Sequence, residues 1–166
     1  FMELVNGSDQ DITLYSSTAN KGWKVEGINL EFSSMVFPAK SMMLLIPAQL
    51  EPDVVAATGL TNWGADLVRQ SFSIPETVKI VTYSGKLSNR SETIAVKEPY
   101  AREESKSAPS GYIYFYVWHD ATLYSDNWPG LTEADGMGYS LQRVNTETMG
   151  YEASAWKAAE PTPGKL

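Results

Sequence analysis

The chain of 166 residues carries a formal net charge of −7, contains 43% hydrophobic residues and has no cysteine. Its length is enough for one domain with a buried core. Nucleic acids and anionic lipids are both bound through Lys and Arg, so the acidic balance argues against either as a partner. The lack of cysteine excludes disulfides, a thiol nucleophile and thiolate metal sites.

Short apolar or alternating runs, separated by turn residues, follow one another along the chain, a pattern typical of a β-sandwich or barrel. The run Met42–Ile46 is continuously apolar. It predicts a central strand and is too short to span a membrane. The other predicted strands are Phe1–Val5, Ile12–Leu14, Lys21–Val25, Ile28–Phe32, Val78–Thr82, Glu92–Val96, Tyr112–Trp118 and Tyr139–Val144.

The segment Gln49–Ser73 has a different character and predicts one short helix over Trp63–Phe72. Asn62 is a suitable N-cap for it, and Leu67 and Val68 are expected to face the core. The helix stands where a crossover between two sheets would be needed.

The segment Glu98–Gly111 is charged and rich in Ser and Pro, which predicts a mobile loop. We find no internal repeat or linker. The pattern therefore predicts a single all-β domain over residues 1–166, with about eight to nine strands and one short helix in a crossover.

The C-terminal part carries short motifs in a definite order. They are Trp128-Pro129, then Asp135-Gly136-Met137-Gly138-Tyr139-Ser140-Leu141-Gln142-Arg143-Val144, then Trp156-Lys157-Ala158-Ala159, then Pro161-Thr162-Pro163-Gly164. This succession resembles that of bacterial lamin-tail domains, which read W-P, D-G-x-G-x-S-L-x-R-[VI], W-[KR]-A-[SA] and x-P-T-P-G. Upstream, Phe1–Asn6, Gly22–Val25, Phe37–Ala39 and Gly85–Ile94 are similar to further passages of that family.

The resemblance implies an immunoglobulin-like β-sandwich in which Trp23 and Leu141 are structural. Gly136 and Gly138 are suited to backbone positions with positive φ before the last strand. The other motif residues also have structural interpretations: Trp128 and Trp156 would close an end of the sandwich, and Pro161 and Pro163 would end the last edge. The sequence departs from the family pattern at Lys40 and Ser91, each of which replaces a Gly in a loop.

His119 is the only histidine and is followed by Asp120. A catalytic interpretation would make it a base, oriented by Asp120, that activates Ser125. Adjacent residues of a strand point to opposite faces, so Asp120 is badly placed for that role. We therefore interpret His119 as a surface residue at the end of a strand.

Two further groups could bind ligands. Asp126, Glu133 and Asp135, near Asp120, offer oxygen ligands for Ca²⁺, although they lack the regular spacing of calcium loops and a solvated acidic loop is the preferred interpretation. The aromatic residues Tyr114, Tyr116, Tyr124 and Trp128 could form a platform for sugar rings or a partner peptide, with Tyr114 or Tyr116 the exposed members. Core packing is the preferred interpretation of that group.

In the lamin-tail family, bacterial domains commonly stand beside secreted or membrane-associated hydrolase domains and are thought to assist attachment. The resemblance therefore implies a non-catalytic binding or structural accessory module of a larger bacterial protein that is extracellular, periplasmic or on the cell surface. Its ligand would be a protein or a polysaccharide, with no cofactor, nucleic acid or membrane insertion. The alternatives are a carbohydrate-active enzyme that uses the acidic loop residues, or a surface protein that self-associates through an exposed edge such as the Phe1 strand.

Overall fold

The computed structural model describes residues 1–128, 131–145 and 148–165. Strands dominate these ranges, which contain only two short α-helices, so the prediction of an all-β fold is confirmed. The helices are α1 (Pro52–Thr58) and α2 (Ala65–Phe72). The strands are β1 (Met2–Asn6), β2 (Ile12–Thr13), β3 (Tyr15–Ser16), β4 (Lys21–Gly22), β5 (Lys24–Glu26), β6 (Leu30–Glu31), β7 (Val36–Phe37), β8 (Ser41–Pro47), β9 (Lys79–Tyr83), β10 (Ser91–Glu104), β11 (Tyr112–Ser125), β12 (Ser140–Arg143) and β13 (Trp156–Ala159).

Strand β8 is the centre of a three-stranded sheet ordered β1-β8-β9, as its apolar run predicts. Its side chains alternate between two buried clusters. Met43 and Leu45 lie in a cluster with Val25 and Ile94, which belong to the second sheet. Leu44 lies in the other cluster, together with Val68 of helix α2. The strand is therefore covered by a sheet on one side and by a helix on the other.

The two helices lie in the connection between β8 and β9, which pair in parallel. Parallel neighbours cannot be joined by a tight turn and need a crossover of this kind. The prediction of a helix in a crossover is therefore confirmed, but its placement between two sheets is wrong, because both strands belong to the same sheet.

Helix α2 begins two residues later than predicted, at Ala65, with Gly64 as its N-cap and no side-chain cap. Val68 is buried as expected, whereas Leu67 is only half-buried. Helix α1 was not predicted. It has no buried residue and hence no apolar face to reveal it, and its only signals are Pro52 in its first turn and Gly59 at its end.

The second sheet is ordered β11-β10-β5-β6, and its main feature is a hairpin of two strands with 14 residues each. The predicted mobile loop over Glu98–Gly111 is wrong, because residues 98–104 continue β10 and only 105–111 form the turn. The charged residues of this segment suggested a loop. In the structure they are exposed or half-buried on a strand that pairs with the aromatic strand β11; Arg102, for example, lies opposite Tyr114.

The described residues contain thirteen strands, more than the eight or nine predicted, because one run is divided and β3, β7 and β13 lie outside the predicted runs. The run Lys21–Val25 breaks at Trp23 into β4, which pairs with β3, and β5, which pairs with β6 and β10. In the run Ile28–Phe32, only β6 is strand. Period-two alternation locates such segments but does not indicate where a strand changes partner.

The C-terminal part forms a separate two-stranded sheet of β12 and β13. Its contacts with the rest of the fold include two hydrogen bonds. Nη1 of Arg143 donates to the carboxylate of Asp120 on β11 at 2.7 Å. The backbone N–H of Gly164 donates to the carboxylate of Glu3 on β1 at 2.8 Å. The end of the described chain therefore lies beside the edge strand β1.

Candidate interaction surface

The outer half of the β10–β11 hairpin, next to its turn, carries large side chains on both faces. On β11 the tyrosines at 112, 114 and 116 are half-buried, and the residues between them are exposed. The exposed fractions are 49% for Ile113, 36% for Phe115 and 45% for Val117. The expectation that Tyr114 or Tyr116 would be the exposed member is therefore wrong. The apolar residues of the alternation face solvent, and we call Ile113, Phe115 and Val117 the outer face.

A cation lies over each aromatic ring on the opposite, inner face of the same segment. Such pairs contribute up to about 1 kcal/mol at exposed sites. The pairs with Arg102 and Lys97 join the two strands of the hairpin, whereas Lys24 of β5 and Lys21 of β4 join β11 to neighbouring strands. Each cation occupies a ring surface on which a sugar would stack. The pairs and their distances to the ring centroid are Arg102 over Tyr112 at 4.3 Å, Lys21 over Tyr114 at 4.7 Å, Lys24 over Tyr116 at 4.3 Å and Lys97 over Trp118 at 4.0 Å.

Two of these cations are also ion-paired. Nζ of Lys21 lies 2.6 Å from the carboxylate of Glu31. Burial alone would lower the pKa of Lys21, but the hydrogen bond and charge of Glu31 outweigh it and raise that pKa. Lys97 is 8% exposed and is paired with Glu26. The inner face is therefore a set of satisfied contacts within the chain.

The free side of β11 is an open sheet edge. Within the described residues β11 pairs only with β10, and the segment 112–118 contains no charged residue, proline or glycine. Natural edge strands normally carry such residues, because an unpaired row of N–H and C=O groups otherwise pairs with another strand. An uncharged open edge beside an exposed apolar face is a recognised arrangement for strand addition.

The corresponding stretch of β10 is protected in the usual way. Beyond its pairing with β5 at residues 95–97, β10 carries the buried Pro99, which cannot donate to a ladder, and Glu98, Glu103 and Glu104. The two strands of one hairpin therefore differ: β10 has the residues that prevent further pairing, and β11 lacks them between its turn and Trp118.

His119 lies within β11, not at a strand end as the sequence suggested. It stands at an irregularity in the ladder, since Lys97 pairs with Trp118 and the neighbouring Val96 with Asp120. Its Nε2 is 2.7 Å from the carboxylate of Glu98. These contacts make His119 part of the packing of the hairpin.

The catalytic arrangement considered for His119 is not formed. Asp120 accepts a hydrogen bond from Arg143 at 2.7 Å and is not the partner of His119. The hydroxyl of Ser125 lies 3.5 Å from the carboxylate of Asp126 and accepts from the backbone of Asn127. His119 and Asp120 therefore have separate partners, Glu98 and Arg143.

Tyr124 and Trp128 lie away from Tyr114 and Tyr116. Tyr124 is eight positions beyond Tyr116 on the same strand, roughly 26 Å at the usual rise per residue. Its hydroxyl donates to the carbonyl of Ser88 at 2.6 Å. Burial, reinforced by the neighbouring Glu92, raises its pKa to about 12. Trp128 is half-buried beyond the end of β11. The four aromatic residues therefore do not form one platform.

The acidic residues are dispersed along a loop. Asp126 accepts from the side chain of Asn127 at 2.7 Å, and Glu133 lies in a short 3₁₀ helix followed by Asp135. Across residues 1–128, 131–145 and 148–165, no group of three or more His, Asp or Glu is placed to hold a metal ion. Glu133 instead lines an open cavity of about 620 Å³ with Tyr139, Trp156 and Lys157, which the sequence did not indicate.

Most of the motif residues that the structure describes are buried or half-buried, or occupy turns with positive φ. Trp23 is 6% exposed, Leu141 is half-buried and Pro163 is buried. Trp156 is half-buried and donates its indole N–H to the carbonyl of Gly150 at 2.7 Å. The expected positive φ is confirmed at Gly136 (75°) and Gly138 (89°). Pro129 and Gly130, which belong to the Trp-Pro motif and its turn, lie outside the described residues.

Within the described ranges, neither α1 nor α2 has the length and hydropathy of a transmembrane helix. No match to a family model, a curated protein or a solved structure was found for this chain.

Proposed function

We propose that this chain is a non-catalytic binding module of a larger secreted or surface-attached bacterial protein, and that it is an immunoglobulin-like β-sandwich of the lamin-tail kind. The observation that carries the proposal is the open edge of β11 at residues 112–118, beside the exposed outer face of Ile113, Phe115 and Val117. An enzyme would use a cleft with convergent polar groups, whereas this region is an extended apolar surface suited to another chain.

The sandwich assignment is supported by the position of the larger core. One cluster joins Met43 and Leu45 of the three-stranded sheet to Val25 and Leu30 of the four-stranded sheet, so two sheets share apolar residues. Trp23, the tryptophan of the G-W motif, is buried in that same cluster. The helix on the far side of β8 is an addition to a simple sandwich.

A glycosidase assay tests the claim that the module is non-catalytic. Wild-type protein and the single variants D126A, E133A and D135A are incubated with a panel of glycosides and polysaccharides. We expect no hydrolysis above the blank from any of the four proteins. Hydrolysis by the wild type that disappears in one variant would overturn the proposal in favour of the carbohydrate-active enzyme.

A sedimentation assay with insoluble bacterial cell-wall material and insoluble polysaccharides tests for attachment. We expect wild-type protein to sediment and the double variant Ile113→Lys/Val117→Lys to remain in the supernatant. The matched control is Val36→Lys, which changes a residue that is 53% exposed but lies on β7. Equal sedimentation of the double variant and the wild type would place binding elsewhere on the molecule.

A further inference from the structure

The sequence of the open edge is symmetric about one residue. From 112 to 118 it reads Tyr-Ile-Tyr-Phe-Tyr-Val-Trp. Reading outward from Phe115 in both directions gives Tyr, then a β-branched residue, then an aromatic residue. An antiparallel copy of the segment, turned about Phe115, therefore presents nearly the same pattern as the segment itself.

We propose that the occupant of this edge is a second copy of the chain, paired antiparallel about a two-fold axis at Phe115. This inference rests on the proposed function as an interaction module and deepens it by naming the partner. Two-fold dimers use the same surface on both subunits, so residue i meets residue j and residue j meets residue i. Any segment paired antiparallel with its own copy meets this condition, and the symmetry of 112–118 adds that aromatic residues oppose aromatic ones and Ile113 opposes Val117. A strand from a different protein would not require the symmetry.

The register follows from the burial pattern. With Phe115 opposite its counterpart, Ile113 lies opposite Val117 of the second copy, so the outer faces form one continuous apolar surface. A shift of one residue would bring exposed outer-face residues against half-buried tyrosines of the inner face, so the pattern disfavours it. Opposed aromatic and β-branched pairs of this kind each contribute roughly 0.2–1 kcal/mol.

The charges near the edge permit this pairing. Glu103 lies opposite Ile113 on β10, and Glu98 lies opposite Val117. In the dimer these carboxylates would be three strand spacings apart, roughly 14 Å, which exceeds the Debye length of about 8 Å at physiological ionic strength. On the inner face, Lys21 and Lys24 would approach across the axis, but Lys21 is already paired with Glu31. The local charges therefore oppose association only weakly, despite the net charge of −7.

The cysteine-free chain permits a direct test by engineered disulfides. In the proposed register Phe115→Cys faces its own counterpart at a distance that a disulfide can bridge. Ile113→Cys lies four residues from its counterpart, roughly 13 Å away, and cannot be bridged. In the double variant Ile113→Cys/Val117→Cys, the cysteine at 113 of each copy faces the cysteine at 117 of the other, so two disulfides can form. The control for random collision is Val36→Cys, at a residue that is 53% exposed on β7.

Under mild oxidation, we expect Phe115→Cys and the double variant to form covalent dimers at least about tenfold faster than Ile113→Cys or Val36→Cys. Equal rates for Phe115→Cys and Val36→Cys would overturn the pairing. Equal rates for Phe115→Cys and Ile113→Cys would overturn the register.

Sedimentation velocity tests self-association first on the wild type, whose result does not depend on the folding of any variant. The proposal predicts a concentration-dependent dimer that is lost in Phe115→Lys and kept in Val36→Lys. A wild type that stays monomeric at every concentration would overturn self-pairing. If that monomer still sedimented with cell-wall material through Ile113 and Val117, the proposed binding module would be kept with a different partner. Glycosidase activity would overturn the proposed non-catalytic module whether or not the chain dimerises.

Discussion

Trp23 and His119 lie face to face, with ring centroids 4.3 Å apart and ring planes inclined by 14°. Trp23 is 6% exposed, so the imidazole covers a core residue. We expect His119→Ala to lower the free energy of unfolding by about 1 kcal/mol, because the stack is lost and the indole becomes exposed. Urea denaturation followed by tryptophan fluorescence measures this.

The control for this prediction is His119→Phe, which keeps an aromatic ring over Trp23 and removes only the contact with Glu98. It should retain most of the stability that His119→Ala loses. If both variants lose the same amount, the contact with Glu98 and not the stack holds β11 at this position.

Gly22 is a position where no side chain fits. An added Cβ would lie 1.8 Å from the carbonyl oxygen of Phe32, and this obstacle is backbone. We expect Gly22→Ala to lower the free energy of unfolding by about 2 kcal/mol or more, since β4 must move away from the backbone at Phe32. Thermal and urea unfolding measure the change.

Gly7→Ala is the matched control for Gly22→Ala, because nothing lies within 4 Å of its Cβ position. It should change stability by less than about 0.5 kcal/mol. A Gly22→Ala protein as stable as Gly7→Ala would contradict the close approach of Gly22 to the backbone of Phe32.

Glu3 is a carboxylate whose charge the fold disfavours. Burial raises its pKa above the ordinary value of 4.5, against the opposing effect of the hydrogen bond from the Gly164 backbone. The unfolded chain therefore ionises at lower pH than the folded one, and this residue's contribution to stability is lost as pH rises above about 4.5.

Glu3→Gln removes the charge and leaves an oxygen that can accept from Gly164. We expect it to be at least as stable as the wild type at pH 7 and to show a smaller loss of stability above pH 4.5, as measured by urea unfolding across pH. Glu3→Ala, which has no acceptor, should be less stable than Glu3→Gln. A Glu3→Gln protein that is destabilised as much as Glu3→Ala would show that the charge itself is needed.

Tyr124 gives the fold a distinct response to alkali. Its pKa is raised to about 12, so the unfolded chain loses the phenol proton near pH 10 while the folded chain keeps it. Stability should therefore fall between about pH 10 and 12. Tyr124→Phe should show a shallower fall over that range in urea unfolding. An unchanged slope would mean that other groups carry the alkaline response, for example Tyr83 and Tyr116, whose pKa values burial also raises.

Secondary-structure elements that have the same burial along their whole length could be predicted from the sequence. The run Met42–Ile46 predicts a central strand because it is apolar at every position, and β8 is buried on both faces. The positive φ of Gly136 and Gly138 followed from the residue type itself. These features depend on local chemistry that is visible without knowledge of the partners.

Features that depend on a distant partner could not be predicted in this way. The charged residues 98–104 indicated a loop, yet they are strand because β11 pairs with them. The alternation over Tyr112–Trp118 indicated two faces but not which one faces solvent. The exposed face is decided by Lys21 and Lys24, which cover Tyr114 and Tyr116 on the other face. These lysines are about ninety residues away in sequence. The outer face emerged only from that tertiary contact.

Amide hydrogen exchange along β11 at low protein concentration tests most directly whether this edge is open. We expect those amides of residues 112–118 that point away from β10 to exchange rapidly in dilute protein, while amides of residues 42–46 in the central strand stay protected. At high concentration the same outward amides should become protected. Strong protection of these amides already in dilute protein would contradict an open edge, because another part of the chain would then cover it.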